Sequence, residues 1–127
     1  MEIVLLKSKI HRALVTGTEI GYVGSITLDA DLMEAAGLWE HERVLVVDVE
    51  NGGRFETYCI RGPAGSGEVC LNGAAARLVS RGDRVIVMAF AHLTPGEAAA
   101  HRPRVVFVDD RNRPVRTADG ETPGETA

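Results

Sequence analysis

Aromatic residues make up only 5% of this 127-residue chain, so its core has to be assembled mainly from Val, Leu, Ile and Ala. Cysteine is scarce as well. Cys59 and Cys70 are the only two, without the dense spacing of a disulfide-stapled secreted domain. Both are expected to be reduced, core or near-core residues with no role in chemistry. No apolar run approaches the roughly 20 residues that a membrane-spanning helix needs. The opening MEIVLLKSKI has neither a basic leader nor a small-residue cleavage site, so it does not read as a signal peptide, and a cytoplasmic location is expected. Positive charge is not in excess. Fourteen Lys and Arg against eighteen Asp and Glu leave a net charge of −4, which offers no field to a phosphate backbone. Nucleic acid and membrane are therefore not expected as partners. His11, His41, His92 and His101 lack any short ligand spacing with the cysteines, so no metal site is expected. The turn Gly62-Pro63-Ala64-Gly65-Ser66-Gly67 lacks the Gly-Lys-Ser/Thr ending of a phosphate loop.

What is present suits one small domain. Residues 2–15 favour extended structure, and Ser25 to Leu28 favour another strand. Asp29 reads as the N-cap of a short helix over ADLMEAA, closed by Gly37. Residues 43–50 and 54–61, joined by Asn51-Gly52-Gly53, read as a β-hairpin. Short strands follow at 68–71, 84–91 and 104–109. A helix is expected from Ala74 to Val79 and a helical turn between Thr94 and His101. From residue 111 the sequence RNRPVRTADGETPGETA has almost no large apolar groups, and an unordered tail is expected over 111–127. Many short strands with two small helices point to a compact β-barrel over residues 1–110, without fixing its topology.

Five stretches carry the chemistry. KSKIHR (7–12) precedes YVGS (22–25) and ITLDADLMEAAG (26–37), and NGGRFETY (51–58) and LNGAAA (71–76) follow. In this order they resemble the aspartate 1-decarboxylases of the pantothenate pathway, from about residue 1 to residue 110. The resemblance implies a mainly β fold, a double-psi β-barrel with short helices. It also implies a homotetramer, with a maturation helper protein required by some members. Autocatalytic cleavage is implied between Gly24 and Ser25, giving chains 1–24 and 25–127. Ser25 would become a covalent pyruvoyl group, with no pyridoxal phosphate and no metal. Its ketone would take up the amino group of L-aspartate and act as the electron sink, releasing carbon dioxide and β-alanine.

Residue roles follow from the same resemblance. Ser25 would attack the Gly24 carbonyl, with Thr57 and Asn72 as helpers at that peptide. Arg54 has the planar fork suited to the substrate's side-chain carboxylate. Tyr58 would supply the proton, since an ordinary phenol stays protonated near pH 7. Lys9 and His11 match substrate-side basic residues, Tyr22 lies just before the cut, and Asn72, Gly73, Ala74 and Ala75 would line the substrate through backbone groups.

Taken singly, each of these residues has a plainer reading. Arg54 suits a solvated strand, Tyr58 a core or interface aromatic, and Lys9 and His11 a charged edge; only the joint pattern reverses this. Alternation along 54–58 sets Arg54, Glu56 and Tyr58 on one face and Thr57 on the other, which sits awkwardly with a single shared site. Two other functions stay open from the residues: a non-enzymatic barrel acting as a binding module, and a processed enzyme acting on another amino acid such as glutamate.

Overall fold

The computed structural model describes residues 1–125. Alternating burial makes Ile3–Leu14 the first strand, β1, with Ser8 and Ile10 turned inward. Two residues later Gly17–Glu19 forms β2. Ser25–Asp29 is β3, and Ala30–Ala36 is the helix α1. The hairpin pairs β4 (Arg43–Asp48) with β5 (Arg54–Gly62). Val69–Asn72 is β6, and a 3-10 turn spans Gly73–Arg77. Then come β7 (Arg84–Leu93), the short helix α2 (Pro95–Ala100), β8 (Arg104–Val108) and β9 (Pro114–Ala118). The mainly β architecture with short helices is the one expected.

All nine strands join one sheet, in the order β2-β6-β3-β5-β4-β7-β1-β8-β9. Three pairs are parallel: β1 with β8, β2 with β6, and β3 with β5. The sheet curls back on itself, because β1 lies near one end and β2 at the other, yet only Val15 and Thr16 separate them. Thr16 fastens this crossing: its backbone N–H donates to the Val69 carbonyl at 2.8 Å, and its hydroxyl accepts from the Val69 N–H at 3.0 Å. Ile10, Ile26, Leu28, Val46, Val69, Leu71, Val85 and Val87 fill the interior, with Leu32 and Met33 of α1 packed against it. Cys59 is buried among them and Cys70 is half-buried, and both are free thiols.

Asp29 caps α1 as its sequence position suggests, and does more. Its carboxylate accepts from the N–H groups of Asp31, Gly65 and Gly67, at 2.8, 3.0 and 2.8 Å, so one buried side chain ties the end of β3 to the 62–67 turn. Gly37 closes α1 in the left-handed conformation, with φ 70°.

Two expectations are corrected. The helix expected over Ala74–Val79 is only the 3-10 turn Gly73–Arg77. Asn72 stands at its N-cap position but makes no cap bond, because its side-chain amide is held elsewhere. The expected unordered tail is ordered as far as residue 125; residues 126–127 lie outside the described residues. Asn112 is fully buried. Its side chain accepts from the Leu14 N–H at 2.7 Å and donates to the carbonyls of Leu14 and Gly67, each at 2.8 Å. After it, β9 pairs antiparallel with β8, and the Arg116 guanidinium lies 3.9 Å from the centre of the Phe107 ring. Composition misleads here because hydrogen bonding and one cation–π contact, rather than apolar burial, hold the segment.

Asn112→Ala leaves three backbone groups without partners and is expected to lower stability by about 3 kcal/mol. A urea melt should show a lower midpoint at an unchanged slope, and an unshifted midpoint would contradict this role for the asparagine.

Candidate active site

The site grows from the pairing of three strands. Antiparallel β6 sets Asn72 opposite Ser25, Leu71 opposite Ile26 and Cys70 opposite Thr27. Ile26 and Leu71 point into the core, so Ser25, Thr27, Cys70 and Asn72 share the other face. There the Asn72 Nδ2 donates to the Ser25 Oγ at 2.8 Å and to the Thr27 Oγ1 at 3.0 Å. Ser25 and Asn72 are both buried, at 1% and 3% exposure, so neither polar group has water as an alternative partner.

The chain enters this buried point from an exposed loop. Tyr22 and Val23 are 63% and 85% exposed, while Ser25 two residues on is enclosed. Gly73 holds the loop in place. Its φ is +67°, and a Cβ there would lie 2.7 Å from the Gly24 Cα and 2.9 Å from the Tyr22 carbonyl oxygen, so no other residue fits without moving the loop. Gly24 itself is not in the left-handed region, and an added Cβ would meet only the Asn72 carbonyl oxygen at 3.9 Å. The conformational freedom of glycine is used at Gly73.

On the other side of β3, parallel β5 pairs Cys59 with Ile26. One step back along each strand sets Tyr58 beside Ser25, while Gly24 lies in the bend before β3, outside the pairing. Arg54, Glu56 and Tyr58 share the face of Ser25, and Thr57 takes the opposite face. Thr57 and Tyr58 also line an open cavity of about 390 Å³ with His41, Arg43 and Glu56. The His41 and Tyr58 rings meet edge to face with centres 6.3 Å apart. Arg54 is exposed at the start of β5, with no carboxylate partner among the described residues. The Asn72 amide bonds the Ser25 hydroxyl, and no bond from it to the Gly24 carbonyl occurs among the described residues. Ala74 is exposed and Ala75 half-buried, both in the turn beside Gly73.

Lys9 and His11 lie elsewhere in the chain, on β1 between β7 and β8. The Lys9 ammonium is 3.2 Å from both Glu121 carboxylate oxygens. The His11 ring packs edge to face against Phe107, 5.7 Å between centres, in a cavity of about 500 Å³ that also exposes Arg12, Arg84 and Arg116. Burial, and then the nearby charges of Lys9 and Arg12, hold the His11 pKa below its ordinary 6.5, with Glu121 opposing them.

The family model for aspartate decarboxylase matches residues 1–115. The chain belongs to the aspartate decarboxylase family. An aspartate 1-decarboxylase of Caldicellulosiruptor bescii is 58% identical over 125 residues, covering 98% of each chain. That of Ruminiclostridium cellulolyticum is 57% identical with the same coverage, and that of Heliobacterium modesticaldum is 55% identical over all of this chain and 96% of its own. Membership in this decarboxylase family makes the chain an enzyme of the lyase class. No helix among the described residues is long and apolar enough to cross a membrane, and no cluster of metal-ligating side chains occurs among them.

Three residues that contact the candidate residues were not singled out in the sequence: Thr27, Cys70 and Glu121. For Thr27 and Cys70 a signal existed. Each lies two residues from a singled-out position on a strand, Ser25 or Asn72, and so had to share its face. Glu121 carried no such signal, because its contact with Lys9 depends on the unexpected β9.

The causes of the His11 shift predict its response to substitution. Lys9→Gln removes a repelling charge and should raise the His11 pKa towards 6.5, whereas Glu121→Gln removes the attracting one and should lower it further. NMR titration of the imidazole reads both, and shifts of the same sign in the two variants would contradict the arrangement.

Proposed function

We propose that this chain cuts its own backbone between Gly24 and Ser25, converts Ser25 to a pyruvoyl group, and then decarboxylates L-aspartate to β-alanine in the supply of pantothenate. One observation carries the reading: the buried Ser25 hydroxyl, held at 2.8 Å by the Asn72 amide, directly follows an exposed loop packed on Gly73.

The chemistry balances on these residues. Ser25 Oγ attacks the Gly24 carbonyl carbon, the C–N bond breaks as the C–O bond forms, and the hydroxyl proton passes to the departing nitrogen. The product is an ester. Loss of the Ser25 α-proton then expels Gly24 as a carboxylate and leaves dehydroalanine at the start of the larger fragment. Water replaces the nitrogen of its imine tautomer, ammonia leaves, and a ketone remains. A donor facing the Gly24 carbonyl would stabilise the developing oxyanion, and the Thr57 hydroxyl, on the strand that pairs with β3, is the candidate.

The surroundings fit such a group. Ser25 is enclosed, Gly73 leaves the approach free of a side chain, and Asn72 offers an amide donor at the reacting atom. Once formed, the pyruvoyl ketone supplies an electron sink for loss of the α-carboxylate. The rest falls to side chains. Unpaired Arg54 would bind the remaining carboxylate through two hydrogen bonds, which fixes the substrate along β5. Tyr58, aligned with Ser25, would hold the proton for the α-carbon. Ala74 and Ala75 would leave the approach beside Gly73 free of long side chains. Lys9 and His11 would join this group from a second copy, which places the active site between protomers. A homotetramer, a cytoplasmic location and a maturation helper protein belong to the same proposal.

Intact-mass measurement tests the reading. Two fragments are expected, 1–24 and 25–127, the larger lighter by one ammonia than hydrolysis would leave it. Ser25→Ala should stay whole and release no carbon dioxide from aspartate. An uncut chain that still yields β-alanine would falsify the mechanism. Arg54→Gln should process normally but lose about 100-fold in kcat/KM for aspartate, the loss expected for a charge-assisted pair.

A further inference from the structure

We infer that Thr27 and Cys70 are positioning residues for self-cleavage, which grip the Asn72 carboxamide at both ends so that one N–H is aimed at the Ser25 hydroxyl. The inference rests on the self-cleavage reading above. Ser25 and Thr27 stand two apart on β3, Asn72 and Cys70 two apart on β6, and the strands pair them as Ser25 with Asn72 and Thr27 with Cys70. The four side chains thus form the corners of a square on one sheet face. Asn72 spans it: Nδ2 donates to the Ser25 Oγ at 2.8 Å and the Thr27 Oγ1 at 3.0 Å, while the Cys70 Sγ lies 3.4 Å from the Asn72 Oδ1.

A carboxamide has two orientations, and Ser25 alone cannot choose between them, since a hydroxyl both donates and accepts. Cys70 can. Burial, reinforced by the carboxylates of Glu68 and Glu19, keeps its thiol protonated, so the sulfur presents a hydrogen to Oδ1. That turns Nδ2 towards β3. Thr27 then takes one of the two Nδ2 hydrogens and leaves the other for Ser25. The orientation matters to the reaction. With an N–H on its oxygen, the Ser25 hydroxyl is located while its own proton remains free to move to the departing nitrogen. In the reversed orientation Oδ1 would accept from that hydroxyl and hold the proton the step must release. Thr27 is the stronger of the two grips, because a thiol is a weak donor.

The test follows the rate at which the full-length precursor gives fragments 1–24 and 25–127, by intact mass, alongside thermal melting of each uncut variant. Thr27→Val keeps the β-branched shape and removes only the hydroxyl. It should slow cleavage by about tenfold, the effect of one misdirected hydrogen bond at a reacting atom. Thr27→Ser should restore the rate to within about twofold, because the hydroxyl returns. Cys70→Ala should slow cleavage by about threefold and Cys70→Ser should not, since a hydroxyl also donates to Oδ1. Slowing confined to Thr27→Val and Cys70→Ala, at unchanged melting temperature, supports the inference. Wild-type rates in Thr27→Val overturn it and leave self-cleavage standing. Equal slowing in Thr27→Val and Thr27→Ser, tracking lowered melting temperatures, also overturns it by showing a structural role. A wild-type chain that never cuts overturns the underlying reading and this inference with it.

Discussion

The register of β3 against β6, which brings the Asn72 amide to the Ser25 hydroxyl, is the constraint on which the candidate site depends. Its geometry is set by apolar packing one residue away. Ile26 and Leu71 are opposite one another and fully buried, which fixes the register of β3 against β6. A slip of one residue would turn Leu71 outward and bury Asn72 in the core, at a cost of several kcal/mol from the exposed apolar surface and the unpaired amide together. The hydrophobic core therefore specifies the position of a polar pair that it does not contain. That pair is itself secure, because two enclosed polar groups with no water to turn to satisfy each other.

Backbone constraint completes the arrangement. Once Asn72 faces Ser25, the chain must leave β6 beneath the loop over residues 22–24. Only a residue without a Cβ and with a left-handed backbone passes there, and Gly73 meets both conditions. The 3-10 turn that follows is short for a related reason. A helix starting at Gly73 would take its cap from the Asn72 side chain, but that side chain is engaged across the sheet. Local helix stability gives way to the cross-strand contact, and Ala74 and Ala75 sit near Ser25 in a tight turn rather than along a helix.

Much of this was legible from local rules. The capping of α1 by Asp29, its closure at Gly37 and the β4–β5 hairpin follow from short-range chemistry that a sequence displays. The order after residue 110 was not legible. Composition tracks apolar burial, whereas Asn112 acts by substituting its amide for missing strand partners at Leu14 and Gly67, both remote in sequence. The candidate site was legible as a set of residues, but not as an arrangement. The parallel register of β3 and β5, which pairs Ile26 with Cys59 and so brings Tyr58 to Ser25, joins segments more than thirty residues apart, and no alternation within one strand reveals it.

The separation of Lys9 and His11 from Ser25 bears on the order of events. Every residue argued to act on the Gly24–Ser25 peptide, namely Thr27, Thr57, Cys70, Asn72 and Gly73, comes from β3, β5, β6 and the turn after β6 within one protomer. Cleavage in the proposed scheme thus needs only a folded chain. Aspartate, by contrast, carries two carboxylates and an amino group, and the cation proposed to bind it on β5 is Arg54 alone. Lys9 is held by Glu121 on another part of the barrel. A second copy would have to supply the remaining basic residues, and Lys9 would have to exchange its carboxylate partner for the substrate. In the proposed scheme, processing and turnover would depend on different levels of organisation. The first would rest on strand register within one chain and the second on how copies meet, so on that scheme substitutions on β1 and β9 should disturb turnover while leaving the cut intact.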